Sequence, residues 1–455
     1  MIIDQQKLTT RLLSYLILVL KRNPYASRAI KYILSNPLYK GVFVLGSGTV
    51  VAQLIGIVAA PIITHLYTPS EMGVLAVYSS VLAILGVGAT LRYELAYGLP
   101  KENDDAINLF GLSLILLCIT TIGFALILLF GRDLLIHTFD LGSLEQYTWF
   151  LLIGFFGMGL YTMLSYWAIR QRDYGRITYT KINQGIGGSA CKILLGLPSF
   201  GPVGLIIGHI VSQIAGITTL ARAMWKMERQ NLKAISLSRM KSAAKTYKSF
   251  PAFNFPASIV NTMALQLPPL MLLALYDSQV VGFYALAHML LVLPSNLISR
   301  SMGQAYFGEA SKMVRERSRE LRSLYVRTLK HLSIIAVPLI GIPALCAPFV
   351  VPFIFGGAWT EAGWYCWPLA LMAISAFIAS PTSRMDIYGY NHWKLIWDVV
   401  RVVGVLTGFY ISQLFILPTF STLTVYALLM LSMYAILVVL ELRAIDNFTK
   451  KQLAN

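Results

Sequence analysis

From Pro251 to Ala274 the chain has no Asp, Glu, Lys or Arg, and after a polar turn at Asp277–Gln279 the run Val280–Ile298 again has none. Each run is long enough for a helix to cross a bilayer core, which takes about 20 apolar residues. The first carries Pro251, Pro256, Pro268 and Pro269 together with Asn254, Asn261 and Gln266. A helix bathed in lipid has no partners for freed backbone groups or side-chain amides. A helix lining a watery cavity does. The pair therefore reads as two membrane helices, the first facing a polar interior, with Asn254, Asn261 and Gln266 as candidate substrate contacts.

Composition extends this reading to the whole chain. Of 455 residues, 56% are hydrophobic and 13% are charged, whereas soluble domains hold about 25% charged residues. The chain reads as a polytopic membrane protein. Its net charge of +17 is accounted for by where the cations fall, so it does not point to nucleic acid. Cys118, Cys191, Cys346 and Cys366 lie in apolar runs without CxxC spacing or histidine partners, which gives neither a metal site nor a cofactor any support. There is no P-loop, no Gly-x-Ser-x-Gly and no HExxH, so no enzyme activity is expected.

Twelve spans are expected, at 41–66, 72–98, 106–130, 147–169, 178–198, 203–225, 250–275, 280–304, 329–354, 363–382, 392–413 and 420–442. Residues 1–38 precede them and hold a nine-residue apolar run, Leu12–Leu20, between basic residues. That is too short to span and lacks a cleavage site, so it reads as an interfacial helix. In or beside alternate connections and both termini lie 33 of the 37 lysines and arginines. The opposite connections hold Arg132, and Lys192, Arg300 and Arg401 lie within spans. Such asymmetry places both termini in the cytoplasm.

Leu66-Tyr67 followed by Gly73 recurs as Leu275-Tyr276 followed by Gly282, an offset of 209 residues. The expected architecture is all-α, with two six-helix lobes related by a parallel pseudo-two-fold repeat. The N-lobe is 39–225, the basic linker 226–249, the C-lobe 250–443, and the cytoplasmic tail 444–455.

Charges inside the membrane are expensive, about 2.5–3.5 kcal/mol each at the bilayer centre, and so mark sites. Arg401 falls about 15 Å into its span at 1.5 Å per residue, too deep to reach a surface easily. Arg92, Lys192 and Arg300 lie nearer the ends, where Lys192 and Arg300 also read as side chains snorkelling to the interface. Together the four suggest a cationic cavity for an anionic head group. Asp398, three residues before Arg401 and on the same helix face, and Glu94, two after Arg92, are either neutralising partners or ion-coupling groups. His288 falls near mid-membrane, where an imidazole is a candidate both for substrate contact and for sensing a proton gradient.

FPAFNFPAS, the double proline, VGFYALA and the exit Gly303-Gln304-Ala305-Tyr306-Phe307, with LRYELAYGLP around Arg92, resemble the Wzx-type polysaccharide flippases of the multidrug/oligosaccharidyl-lipid/polysaccharide exporter superfamily. The resemblance implies a MATE-like fold and movement of an undecaprenyl-diphosphate-linked glycan, as in O-antigen or lipopolysaccharide synthesis, to the periplasmic leaflet. It also implies H+ or Na+ as coupling ion, and a polysaccharide polymerase and chain-length regulator as companions. Two other readings stand beside it. A cation-coupled multidrug exporter of the same fold would want unpaired acids in its cavity. A membrane polymerase or glycosyltransferase would want a sizeable outer loop with catalytic residues.

Overall fold

The computed structural model describes residues 37–138, 142–316 and 320–454; the interfacial helix expected around Leu12–Leu20 lies outside them. Among the described residues the secondary structure is entirely helical. In chain order the helices are α1 (Pro37–Leu66), α2 (Pro69–Gly86), α3 (Asn103–Thr138), α4 (Thr148–Arg170), α5 (Tyr174–Gly196), α6 (Pro202–Ile214), α7 (Ile217–Glu228), α8 (Leu237–Thr246), α9 (Phe255–Leu275), α10 (Ser278–Arg315), α11 (Leu321–Ala336), α12 (Ile342–Phe355), α13 (Thr360–Ala379), α14 (Asn391–Leu414) and α15 (Thr419–Ala454). Among the described residues, eleven helical segments are long and apolar enough to cross a membrane, which makes this a multi-pass membrane protein.

Twelve such spans were expected, and the difference lies at the fifth. Residues 178–198 do fold into α5, but Lys181, Asn183, Gln184 and Lys192 leave that helix too polar to count by composition. The second and sixth spans also depart from single helices. α2 ends at Gly86 rather than continuing to 98, because Leu91 (φ 51°) and Arg92 (φ 68°) turn left-handed before a short 3₁₀ helix at Tyr93–Ala96. Backbone groups freed there find side chains instead, as in Thr120 Oγ1 donating to Ala89 O at 2.8 Å. The sixth span breaks between α6 and α7 at Gly216, whose φ of 103° suits glycine.

Local chemistry sets the helix starts. Asp277 caps α10 by accepting the Val280 N–H at 2.8 Å, and Asp173 caps α5 through the Arg176 N–H. The seventh span opens with a π turn, Phe250–Asn254, and a second π turn, Val337–Gly341, joins α11 to α12. Both contain a proline, which removes a helical donor and loosens the ladder.

The chain forms two compact units. One comprises the described residues up to Ala59 with Leu85–Arg132 and Tyr147–Phe255. Its core includes an aromatic trio, Tyr97, Phe110 and Trp167, with ring centroids 5.6–6.0 Å apart. The other comprises Ala60–Ile84, Asp133–Gln146 and Pro256–Asn455, with α13 at its centre against α10, α12 and α15. Trp359 is buried there and donates Nε1–H to Thr64 O at 3.0 Å.

Within this second unit the two copies of the repeated motif meet each other. A Cβ on Gly73 would fall 1.7 Å from Ser278 O, and one on Gly282 would fall 1.8 Å from Pro69 O. Pro69 and Ser278 stand 209 residues apart, as do Gly73 and Gly282, so the contact is reciprocal. Any side chain at either glycine would push α2 and α10 apart. Ser70 Oγ and Ser278 Oγ share a 2.5 Å hydrogen bond beside it.

Candidate functional site

On α14, residues 394, 397, 398 and 401 share one face, because neighbours three and four apart stack along a helix. Lys394 Nζ donates to Asp398 Oδ2 at 2.9 Å, and Arg401 Nη2 donates to Asp398 Oδ1 at 2.9 Å. The Trp397 ring is within reach of both cations, with Lys394 Nζ 4.2 Å and the Arg401 guanidinium carbon 4.6 Å from its centroid. Cations above an indole face are attracted by its quadrupole. The ring itself is fixed by Nε1–H donating to Met433 O on α15 at 2.8 Å.

A third partner comes from α9. Arg401 Nη2 also donates to Asn261 Oδ1 at 3.0 Å, so an amide and a charge singled out in the sequence meet across 140 residues. Arg401 is 3% exposed, yet its Nε–H is buried without any hydrogen-bond partner. Buried polar groups are normally paired. This donor stands ready for an acceptor that the protein itself does not provide. The cluster holds two cations against one carboxylate, so its local charge favours an anion.

The other sequence candidates in this unit are placed separately. Gln266 Oε1 accepts from Ser80 Oγ on α2 at 3.0 Å. His288 is half-buried and stacks on Tyr284, with centroids 5.6 Å apart and planes 26° apart. Arg300 is exposed on α10 and does not join the Arg401 cluster.

In the first unit, Arg92 lies in the left-handed turn rather than inside a helix. Its Nη1 is 3.5 Å from Glu94 Oε1, and the buried Glu94 also accepts from Thr90 Oγ1. Lys192 lies on α5 against Gly208 of α6, with His209 as an electrostatic neighbour. Asn254 is exposed in the π turn.

Lys394, Trp397 and His209 escaped the sequence reading. The first two carried a usable signal: both lie on the Asp398–Arg401 face at helical spacing. His209 carried none, since its pairing with Lys192 depends on how α5 packs on α6.

The fold is that of a multi-pass helical membrane protein, and one unit holds a buried, net-cationic cluster. The chain belongs to the polysaccharide biosynthesis protein family, which it matches over residues 62–363. No curated protein sequence matches it. Among solved structures, the lipid II flippase MurJ in an inward closed conformation superposes with a TM-score of 0.70 at 11% identity, covering 90% of this chain and 91% of that one. A MOP superfamily transporter from Pyrococcus furiosus, described as having a binding pocket of reverse polarity, gives 0.58 at 15%, with 91% and 97% covered. An outward-facing MATE family multidrug resistance transporter gives 0.55 at 15%, again with 91% and 97% covered. At these identities the likeness is one of fold.

Proposed function

We propose that the protein is an inner-membrane flippase that carries an undecaprenyl-diphosphate-linked oligosaccharide from the cytoplasmic to the periplasmic leaflet. The observation that carries this reading is Arg401, buried, half engaged by Asp398 and Asn261, with Nε–H unmatched. A diphosphate offers several oxygens to a planar fork of donors, and guanidinium grips such oxygens bidentately where ammonium cannot. The membership in a polysaccharide biosynthesis family supports a glycan cargo. The two lobes, 39–225 and 250–443, alternate access to the site, while the polyprenyl chain stays in lipid and a gradient of H+ or Na+ drives the cycle.

A cationic drug is disfavoured by the same cluster. Asp398 is the carboxylate such a substrate would seek, and Lys394 and Arg401 already occupy it. The test is export of glycan in cells that depend on this protein. Arg401→Ala removes surface polysaccharide at unchanged protein level, and Arg401→Lys retains part of it by keeping the charge. Wild-type polysaccharide from Arg401→Ala at wild-type protein level ends Arg401's part in the proposal, and wild-type polysaccharide in cells lacking this protein ends the flippase reading itself.

A further inference from the structure

The ion-coupling candidates found in the sequence all have local partners: Asp398 has two cations, Glu94 has Thr90 and Arg92, and His288 stacks on Tyr284. A different acid is only half engaged. Glu441 lies 22 residues along α15 from Thr419, about 33 Å at 1.5 Å per residue, and is fully buried. Its Oε1 accepts the Arg384 backbone N–H at 2.7 Å. Its Oε2 is buried with no hydrogen-bond partner, and it forms no ion pair with any described residue.

The unmet acceptor has unmet donors on the adjoining loop. Ser383 Oγ and Arg384 Nε are also buried without partners. The Arg384 guanidinium, one residue's reach from the carboxylate, lies instead over the Phe307 ring at 5.1 Å. Every element around the carboxylate supplies groups that bear on its charge. Tyr306 comes from α10 and Tyr325 from α11. Arg384, Asp386 and Tyr388 come from the loop after α13, and Lys394 comes from α14. Tyr306 and Tyr388 bond each other at 2.9 Å, and Lys394 is held by Asp398. On α15 itself, Arg443 is exposed and Asp446 pairs with Arg322 at 3.3 Å.

We propose that Glu441 is a proton-coupling site of this transporter, with Arg384 as the counter-charge that replaces the proton. The proposal rests on the flippase reading only for its role in the transport cycle. A carboxylate taken from water without a paired charge is strongly disfavoured, and two neutralisers are within reach. A proton from water forms an O–H bond at Oε2 and returns to water when that bond breaks. On its departure the Arg384 guanidinium swings from Phe307 to the carboxylate. The observed arrangement, with Oε2 empty and the guanidinium on the ring, corresponds to the proton-loaded state. Because Arg384 belongs to the loop that leads into α14, its swing changes the loop anchoring the helix that carries Arg401. A merely structural Glu441, needed to accept the Arg384 N–H, is equally served by glutamine.

The test is the infrared pH-difference spectrum of the full-length protein in lipid nanodiscs without substrate. Wild type shows a protonated-carboxyl C=O band that appears and disappears with pH, and Glu441→Gln lacks it. Arg384→Gln removes the competing cation and moves the band's midpoint up by about one to three pH units. Should Glu441→Gln fail to fold, Glu441→Asp keeps a carboxyl in a new position and shifts the band. Superimposable spectra of wild type and the Glu441 variants overturn the proposal. So does a band abolished at constant pH by sodium chloride but not choline chloride, which makes this a sodium site. Since no substrate is present, an intact band beside normal polysaccharide in cells lacking this protein removes the flippase reading and leaves the proton site standing.

Discussion

Arg170 and Arg401 are both partly or fully withdrawn from water, and both lie near an acid, but their donors end in different places. In the first unit, Arg170 Nη1 donates to Tyr97 O at 2.7 Å and Pro100 O at 2.9 Å, and Nη2 to Glu102 O at 3.4 Å and Asn103 Oδ1 at 3.3 Å. Glu228 nearby is served by amide donors from Asn103, Gln171 and Asn231. Both terminal nitrogens of Arg170 and the Glu228 carboxylate are matched there, although Tyr97 OH and Trp167 Nε1 nearby are not. In the second unit, Arg401 spends a single nitrogen on both its partners and leaves Nε unmatched. A guanidinium whose donors finish on backbone carbonyls is a structural tie. One with a buried donor left over keeps capacity for a further acceptor, which is what the proposed binding role needs.

That distinction predicts opposite phenotypes, and the larger effect falls on the tie. Arg170 holds the carbonyls of the buried Tyr97 and Pro100 in the irregular segment that follows the 3₁₀ helix, whereas Glu102 O also accepts the Ala106 N–H. Losing a partner leaves each buried carbonyl about 1–3 kcal/mol worse off. Arg170→Ala is therefore expected to lower the unfolding temperature in detergent and to reduce the amount of protein in the membrane, with export falling in proportion. If the variant is as stable as wild type but exports nothing, Arg170 belongs to the transport machinery and the comparison breaks.

The fold was legible because the apolar runs are long and their flanking charges alternate. Sequence could not show where a run stops being a helix. The turn at Leu91 and Arg92 uses two non-glycine residues in left-handed geometry, a choice stabilised by tertiary partners that no local pattern reveals. The Arg401 site was half legible. Asp398 follows from helical spacing, and Asn261 stood out as an amide in an apolar run. Glu441 and Arg170 were not, since each is distinguished only by partners on other elements. An acid at the end of an expected span looks solvated until Arg384, in the loop after α13, is seen to bond it.

The next effect sharpens the Arg401 half. Asp398→Ala strips Arg401 of its counter-charge, and breaking a buried pair from one side costs about 3–5 kcal/mol. The single change is expected to lower protein level. Asp398→Ala with Arg401→Ala removes both charges and restores the level, without restoring export. Membrane abundance and surface polysaccharide, read together in the same cells, separate the two roles. Full export from the double variant at wild-type abundance makes the pair structural, and Arg401 then joins Arg170 as a tie.

Arg300 supplies the control with the smallest expected effect. It was grouped with Arg401 because both are arginines inside expected spans, but it is exposed on α10 and stands apart from the cluster. Near the inner end of its expected span, a long side chain can carry its charge to the membrane surface, so nothing about it demands a ligand. If burial and an unmatched donor together mark a binding arginine, Arg300→Gln leaves protein level and surface polysaccharide close to wild type. A loss of export as severe as that of Arg401→Ala, at normal protein level, shows instead that positive charge anywhere along the path governs transport. The unmatched Nε–H of Arg401 would then have no special claim on the substrate.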